Sequence, residues 1–388
     1  MDLSRADPAG AGQREPQVAP ADAHPRQAPP AVAPNSDLPG TILSIQVLRF
    51  VAAMSVVIFH AYVALMWRPG HIPDQVDHAF AVGASGVHIF FVISGFVMVY
   101  TSLRSRLTPG SFLKRRLIRI YPIYLLVGAA YLLVHQLLGS PYHLTAADIA
   151  GAALLLPGYS PLVIGPGWTL SFEMYFYLCF AVALFAGLRR GLALLSGFYF
   201  LSVAARFFVD RNLAFVNLAT DSLLLEFMVG GWLGYAWANG LDIGRRAGAL
   251  LIVCGLALFA TGFWLPYEKL PSVISWGPPA LMLVAGALAF EPELRSRAGR
   301  FFAKLGDSSY LLYLSHVLLL DLIVATPISA LNSSRSAAVF LSIALAIVCA
   351  AIAAVGYEAI ELPLLKAVKR LFLTRPGQQN AAQLQSRT

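Results

Sequence analysis

Charged side chains are scarce in this sequence. Asp, Glu, Lys and Arg make up 12% of its 388 residues, whereas hydrophobic residues make up 58%. A soluble globular domain has about 25% charged residues, so this composition argues against a soluble protein. Apolar runs of about 18 residues or more recur along the chain and predict a multi-pass membrane protein. Its spans should be helices, because helices satisfy their own backbone hydrogen bonds in lipid.

Cysteine is also scarce, which argues against a disulfide framework or a cysteine-based metal centre. Cys179, Cys254 and Cys349 each lie inside an apolar segment, and their spacing is not that of metal ligands. We predict that they are small core residues and expect no metal.

The first 40 residues lack an apolar h-region, which argues against a cleaved signal peptide. They are rich in Ala and Pro and predict a disordered cytoplasmic tail. Residues 373–388 predict a second polar cytoplasmic tail. The region 41–372 between them predicts a single transmembrane domain.

Ten segments of the central region are apolar enough to predict spans. They lie near 43–66, 84–101, 118–138, 169–187, 191–209, 221–238, 247–264, 273–290, 308–328 and 336–358. The segment 146–165 is not counted, because its apolar run of about ten residues is interrupted by prolines and is too short to cross. We predict that it is a re-entrant or interfacial piece.

The positions of the basic residues favour this choice. With ten spans and both termini in the cytoplasm, the outer loops keep only Arg68, Arg206, Arg211, Lys269 and Arg335, and the other loop Lys and Arg residues lie inside. The net charge of +8 therefore reflects membrane topology rather than nucleic-acid binding. The predicted fold is an all-α bundle of about ten transmembrane helices.

Ionisable residues inside the spans are the strongest functional signal, since each costs about 2.5–3.5 kcal/mol at a helix centre. Arg49 and His60 lie eleven residues apart, on one helix face and about 16 Å apart. Glu173 lies about one turn below the outer surface, at the same predicted depth as His60. We therefore predict that Glu173 faces His60.

Other spans carry further candidates. Arg116 and Arg119 share a face at the predicted start of the third span, where a helix N-terminus suits phosphate groups. His88 and Ser94 are the polar points of the second span, and His316 lies at mid-depth in the ninth.

Near the inner surface, we interpret Glu358 and Glu361 as structural. Asp307 precedes the ninth span in the position of an N-cap.

Seven motifs, in order along residues 41–372, resemble the acyltransferase family 3 membrane proteins, especially those that modify exopolysaccharides and lipo-oligosaccharides. They are IQVLRFVAAMSVVIFHAY, GVHIFFVISGFVM, FLKRRLIRIYPIY, GWTLSFEMYFY, LEFMVGGWLG, LGDSSYLLYLSH and YEAIELP. Each motif alone is a weak signal, and their common order is a strong one.

The resemblance implies a ten-helix O-acyltransferase of the bacterial inner membrane, with cytoplasmic acyl-CoA, in particular acetyl-CoA, as donor. The implied acceptor is a hydroxyl of a carbohydrate or lipid-linked oligosaccharide. The Arg-x10-His motif of the family matches Arg49 and His60, its Arg-x-x-Arg motif matches Arg116 and Arg119, and the Glu of its Trp-Thr-Leu segment matches Glu173. The chain departs from the family at His88, where many members carry Asp.

The resulting hypothesis assigns donor binding to Arg49, Arg116 and Arg119. His60 acts as general base or as transient acyl carrier, with Glu173 as its orienting carboxylate. We assign substrate binding to His88, Ser94, Trp168 and His316.

Two alternatives remain open from the sequence. A transporter or flippase of a lipid-linked sugar would also use intramembrane His, Glu and Arg, although no internal repeat is visible. A non-catalytic membrane scaffold is the second alternative, and it would not explain the charged residues inside the spans.

Overall fold

The computed structural model describes residues 40–66, 82–265, 270–324 and 335–373, and every regular element in these ranges is helical. The chain divides into two units, Met1–Ala33 and Pro34–Thr388, and the described residues all belong to the second. The predicted tails, except for Gly40 and Leu373, lie outside the described residues, as do the outer-loop residues Arg68 and Lys269.

The α-helices of the described ranges follow one another with short connections. They are α1 Leu43–Met66, α2 Gly86–Ser105, α3 Pro109–Leu137, α4 Ala146–Ala153, α5 Trp168–Ala183, α6 Leu188–Ala205, α7 Ala214–Ala219, α8 Leu223–Ala238, α9 Arg245–Thr261, α10 Ser272–Ser275, α11 Gly277–Leu288, α12 Arg297–Asp307, α13 Ser309–Val324, α14 Arg335–Gly356 and α15 Leu362–Leu373. A π-helical stretch, Tyr357–Glu361, joins α14 to α15.

Within the described residues, six helical segments are long and apolar enough to cross a membrane. They are Leu43–Met66, Val82–Ser105, Pro109–Leu137, Gly165–Ala186, Ala214–Ala238 and Ser336–Leu373. Each of the ten predicted spans overlaps helical residues. The eighth is broken at Trp276 into α10 and α11, and residues 325–328 of the ninth lie outside the described residues.

The segment 146–165 does not form a spanning helix. Helix α4 has eight residues and starts at a capping box, in which Thr145 and Asp148 satisfy each other's backbone N–H. The Tyr124 hydroxyl donates to the Ala152 carbonyl at 2.7 Å and so ties this short helix to α3. A helix of this length cannot cross a bilayer.

Helix α3 begins nine residues before its predicted start. Thr108 caps it by accepting a hydrogen bond from the Ser111 N–H, and Pro109 occupies its first turn. The expectation that Arg116 and Arg119 lie at a helix N-terminus is therefore wrong. They lie about two and three turns inside the helix. The backbone N–H groups there are already paired, so only the guanidinium groups can bind a ligand.

Asp307 is not an N-cap, because it ends α12 and its carboxylate accepts a hydrogen bond from Gln46 Nε2 at 2.5 Å. Burial raises the pKa of Asp307, and the guanidinium groups of Arg49 and Arg119 act in the opposite direction.

Both glutamates predicted to lie near the inner surface form ion pairs. Glu358 pairs with Lys304 at 2.9 Å, and Glu361 pairs with Arg119 at 2.5 Å. The Glu358 carboxylate raises the pKa of Lys304 through this hydrogen bond.

The N-terminus of α1 is fixed by a carboxylate from a distant part of the chain. Both oxygens of Glu291 accept backbone hydrogen bonds, from Leu43 N–H and from Ser44 N–H, each at 2.8 Å. A negative charge at this position also complements the helix dipole. The end of α1 that carries Arg49 is thereby anchored to the turn after α11.

Glycines bring α2 and α8 into backbone contact. A Cβ atom at Gly230 would overlap the Val92 carbonyl, and one at Gly234 would overlap the Phe96 carbonyl. Both pairs have the same sequence separation, 138 residues, as the contact between His88 and Glu226 one turn earlier. A constant separation means that α2 and α8 run parallel. The close packing predicted from GGWLG at 230–234 is confirmed.

Candidate active site

A cavity of about 140 Å³ lies among α1, α2, α3, α5 and α13. We call it the arginine cavity. Its polar lining comprises Arg49, Ser94, Arg116, Arg119, Thr169, Glu173, Tyr177, Ser309, Tyr310 and Tyr313. The three arginines that the sequence assigns to the donor thus line one space.

The arginines differ in how their charges are satisfied. Arg119 pairs with the fully buried Glu361 at 2.5 Å, and Arg116 donates from Nη2 to Thr101 Oγ1 at 2.8 Å. Arg49 donates to the side-chain amide oxygen of a glutamine in its own helix, at 2.9 Å. Among the described residues, neither Arg49 nor Arg116 has a carboxylate ion-pair partner, and the buried Nε of Arg116 has no hydrogen-bond partner. An unpaired guanidinium facing a cavity favours an anionic ligand.

Glu173 also lies in the arginine cavity. Its Oε1 accepts a hydrogen bond from Ser94 Oγ at 3.0 Å and another from the Tyr177 hydroxyl. Its hydrogen bonds within the described residues do not include one to His60, so the predicted pairing of Glu173 with His60 is not what the structure has. The carboxylate has neutral donors instead, close to the arginines.

The partner of His60 is a second histidine. Nδ1 of His60 lies 2.9 Å from the Val56 carbonyl oxygen and 3.3 Å from Nε2 of His316. Nδ1 of His316 lies 3.2 Å from the Leu312 carbonyl oxygen. Because a carbonyl can only accept, both Nδ1 atoms carry the proton. The Nδ1–H of His60 is therefore shared between the Val56 carbonyl and Nε2 of His316, both of which accept. Nε2 of His60 carries no proton and keeps its lone pair.

A second cavity, of about 430 Å³, contains His60, and we call it the histidine cavity. Its lining includes Phe59, His60, Ser85, His88, Trp168, Asp221 and Trp276. Val87 and Tyr313 line both cavities, so the arginine cavity and the histidine cavity meet at these two side chains. Tyr313 is buried, and its hydroxyl lies 3.1 Å from Thr169 Oγ1.

Comparison with known proteins identifies the family of this chain. The family model described as an acyltransferase domain, acyltransferase family 3, matches residues 42–355. The chain belongs to this family.

Two curated proteins are similar to this acyltransferase. The exopolysaccharide production protein ExoZ of Rhizobium meliloti is 34% identical over 267 residues, which cover 65% of this chain and 81% of ExoZ. Acyltransferase MdmB of Streptomyces mycarofaciens is 29% identical over 144 residues, which cover 34% of this chain and 36% of MdmB. No solved structure matches the chain. The chain is an acyltransferase enzyme and an integral membrane protein.

The acyltransferase divides its sequence-predicted residues between the two cavities. The arginine cavity receives the three arginines with Ser94 and Glu173, and the histidine cavity receives His60, His88 and Trp168. His316 lines neither cavity; it is 0% exposed and lies behind His60. We therefore reinterpret it as a support for His60 rather than a substrate ligand.

Sequence reasoning missed Glu226, a fully buried carboxylate whose two oxygens each lie 2.9 Å from Nδ1 of His88. The signal was present, because Glu226 is a lone carboxylate in the apolar run LLLEFMVGGWLG. Its partner could not be read from the sequence, because the contact depends on the close packing of α2 against α8.

Proposed function

We propose that this enzyme transfers an acyl group, in particular acetyl, from acyl-CoA to a hydroxyl of a carbohydrate. The observation that carries the proposal is the meeting of two chemically different cavities at Val87 and Tyr313. One suits an anionic donor. The other is lined by histidines and aromatic rings, and among the described residues Nε2 of His60 has no hydrogen-bond partner.

The donor is assigned to the arginine cavity. Arg49, Arg116 and Arg119 outweigh the carboxylates of Glu173 and Glu361, so the lining attracts the phosphates of coenzyme A. A further cavity, of about 160 Å³, lies beside Gly40 and Thr41 at the start of α1. It shares Arg49 and Val97 with the arginine cavity and offers the pantetheine arm an entry beside the N-terminus of α1.

The acceptor is assigned to the histidine cavity. Trp168 and Trp276 supply flat apolar surfaces, and His88, Ser85 and Asp221 supply polar contacts, a combination typical of small-molecule sites. ExoZ is named for exopolysaccharide production, which supports a carbohydrate or lipid-linked oligosaccharide as the acceptor here.

His60 acts as the general base. Its Nε2 takes the proton from the acceptor hydroxyl while the hydroxyl oxygen attacks the thioester carbon, forming the new C–O bond. As the tetrahedral intermediate collapses, the C–S bond breaks and His60 returns the proton to the leaving sulfur. The products are the acyl ester and free coenzyme A. His316 accepts the Nδ1–H of His60 and keeps its ring in the required tautomer.

Glu173 acts on the donor side of the reaction. By accepting hydrogen bonds from Ser94 and Tyr177, it fixes the wall of the arginine cavity next to Tyr313. Its negative charge also offsets part of the positive charge of the arginines, so that an anionic donor binds reversibly and the product coenzyme A can leave.

For the membrane arrangement we propose ten spans in the bacterial inner membrane, with both termini in the cytoplasm. The transmembrane domain covers residues 41–372, with polar tails at 1–40 and 373–388. The positive-inside distribution supports this orientation. The parallel packing of α2 and α8 supports the span count, since it requires an odd number of crossings between them, and counting 146–165 as a span would make that number even.

The proposal is tested with purified protein and acetyl-labelled acetyl-CoA. Exopolysaccharide from the source strain is treated with mild base, which removes ester-linked acyl groups, and its fragments serve as acceptors. We expect ester-linked label on the fragments with the wild-type protein and none with His60→Ala. His135→Ala is the matched control, because His135 lines neither cavity. Label that never leaves coenzyme A would contradict acyl transfer and favour the transporter alternative.

A further inference from the structure

The histidine cavity contains a second imidazole, that of His88, which takes no part in the proposed proton transfer. The His88 side chain is 12% exposed, and Glu226, which lies behind it, is 0% exposed. Both carboxylate oxygens of Glu226 lie 2.9 Å from Nδ1 of His88. A buried intramembrane carboxylate is costly, and among the described residues the hydrogen bonds of Glu226 go to one ring nitrogen.

This contact fixes the imidazole. Nδ1–H of His88 donates to the carboxylate, and the ring stacks on Trp276 with centroids 6.3 Å apart and planes inclined by 26°. Trp276 in turn stacks on Phe259, with centroids 5.8 Å apart. The ring of His88 is therefore held from its edge and from its face.

The other ring nitrogen stays available. Among the described residues, Nε2 of His88 has no hydrogen-bond partner, and His88 lines the same cavity as His60. The two histidines differ in their support, since His60 rests on neutral groups and His88 on a carboxylate. A rigid ring with one free nitrogen, in a cavity that Trp168 and Trp276 also line, is suited to holding a polar substituent of a ligand.

We propose that His88, held by Glu226, is the acceptor-positioning residue of the histidine cavity. Its Nε2 hydrogen-bonds to a substituent of the carbohydrate and so determines which hydroxyl reaches His60. This assignment rests on the proposed function, and it names the residue pair that sets acceptor selectivity. The pair lies one turn from the glycine contacts of α2 and α8, which hold the two helices close together.

The test uses the full-length protein in nanodiscs without glycoside detergent, since a sugar headgroup could occupy the cavity. The probes are base-treated exopolysaccharide fragments and labelled acetyl-CoA. His88→Gln should raise the acceptor KM at least tenfold, while kcat and the donor KM change less than threefold. Glu226→Gln should have a smaller effect, because the amide oxygen still accepts from Nδ1. The exposed His143→Gln is the matched control and should match the wild type.

The double variant His88→Gln, Glu226→Gln guards against loss of folding, because it leaves no buried charge without a partner. It should keep the donor KM and retain the defect in acceptor KM. A fall in kcat with an unchanged acceptor KM would overturn the proposal, as would a parallel rise of both KM values.

Direct binding separates this inference from the proposed function. If wild-type protein binds the fragments, His88→Gln does not, and no acetyl transfer occurs, the positioning role stands and the proposed reaction is wrong. If the wild-type protein binds none of the fragments, the carbohydrate assignment of the cavity is overturned.

Discussion

His60 takes its orientation from two neutral acceptors, the Val56 carbonyl at 2.9 Å and Nε2 of His316 at 3.3 Å. In a Ser-His-Asp triad an ionised carboxylate fills this role and stabilises the imidazolium. A neutral imidazole fixes the tautomer as well but stabilises the positive charge less. The proton that His60 takes up should therefore pass quickly to the leaving sulfur.

His316→Leu should lower kcat about 100-fold, within the range of general acid–base contributions, because His60 loses its orienting acceptor. His316→Gln should retain more activity, since its amide oxygen can still accept from Nδ1–H. Both KM values should stay near the wild type, because His316 lines neither cavity. Steady-state kinetics with each substrate varied in turn checks this. A rise in acceptor KM without a loss of kcat would restore His316 as a substrate ligand.

Arg116→Ala together with Arg119→Ala should weaken donor binding more than acceptor binding. Each lost charge-assisted hydrogen bond costs about 1.5–3 kcal/mol. Arg115→Ala is the matched control, because Arg115 is the exposed neighbour of Arg116 and lies outside the arginine cavity. The donor KM measured at saturating acceptor decides the matter. An equal effect of the control would mean that these arginines only anchor the helix.

Glu173 and His60 should contribute separately, because they lie in different cavities and share no hydrogen bond. Glu173→Gln keeps the shape of the side chain and removes the negative charge beside the arginines, so the donor should bind more tightly and the donor KM should fall. Changes in kcat/KM from Glu173→Gln and from His60→Ala should multiply in the double variant. If the double variant is no worse than His60→Ala alone, the two residues act as one unit.

At the scale of helices, the glycine contacts between α2 and α8 determine the histidine cavity. Gly230→Ala places a methyl group against the Val92 carbonyl and should cost about 1–3 kcal/mol through overpacking. Thermal unfolding in nanodiscs should show a lower Tm, and acceptor use should fall because His88 and Glu226 separate.

Gly197→Ala is the matched control for this helix contact. Gly197 lies inside α6, and a Cβ atom there meets nothing within 4 Å. Alanine should leave stability unchanged or raise it by about 0.5–1 kcal/mol, through its better helix propensity. Equal Tm values for both variants would mean that the α2–α8 contact tolerates a methyl group.

For the whole molecule, ten spans make a prediction about sidedness. In a variant without Cys179, Cys254 and Cys349, single cysteines are introduced at exposed loop residues, Ser140, Asn212, Asn239 or Ser296. A membrane-impermeant maleimide should label Ser140→Cys and Asn212→Cys in intact spheroplasts. It should label Asn239→Cys and Ser296→Cys only after lysis. Labelling of Ser140→Cys and Asn212→Cys from opposite sides would rule out the ten-span arrangement.

Several parts of the site could be predicted from the sequence, because their signals are local. The eleven-residue spacing of Arg49 and His60, the closely spaced arginines of α3 and the lone Glu173 each stand out against an apolar background. A charged residue in lipid must face the interior of the bundle, so its presence already indicates a lined cavity. The glycines that bring α2 against α8 were readable for the same reason, since small residues serve close packing in membranes.

Hydropathy and motif order are properties of the chain alone, so they were enough to predict a helical membrane protein of acyltransferase family 3. Which residues meet depends instead on how the helices pack. Predicted depth allowed Glu173 to pair with His60, but depth does not fix the direction in which a helix face points. The rotation of each packed helix about its axis fixes these contacts. Glu173 accepts hydrogen bonds from Ser94 and Tyr177, His60 contacts His316, and Glu226 contacts His88.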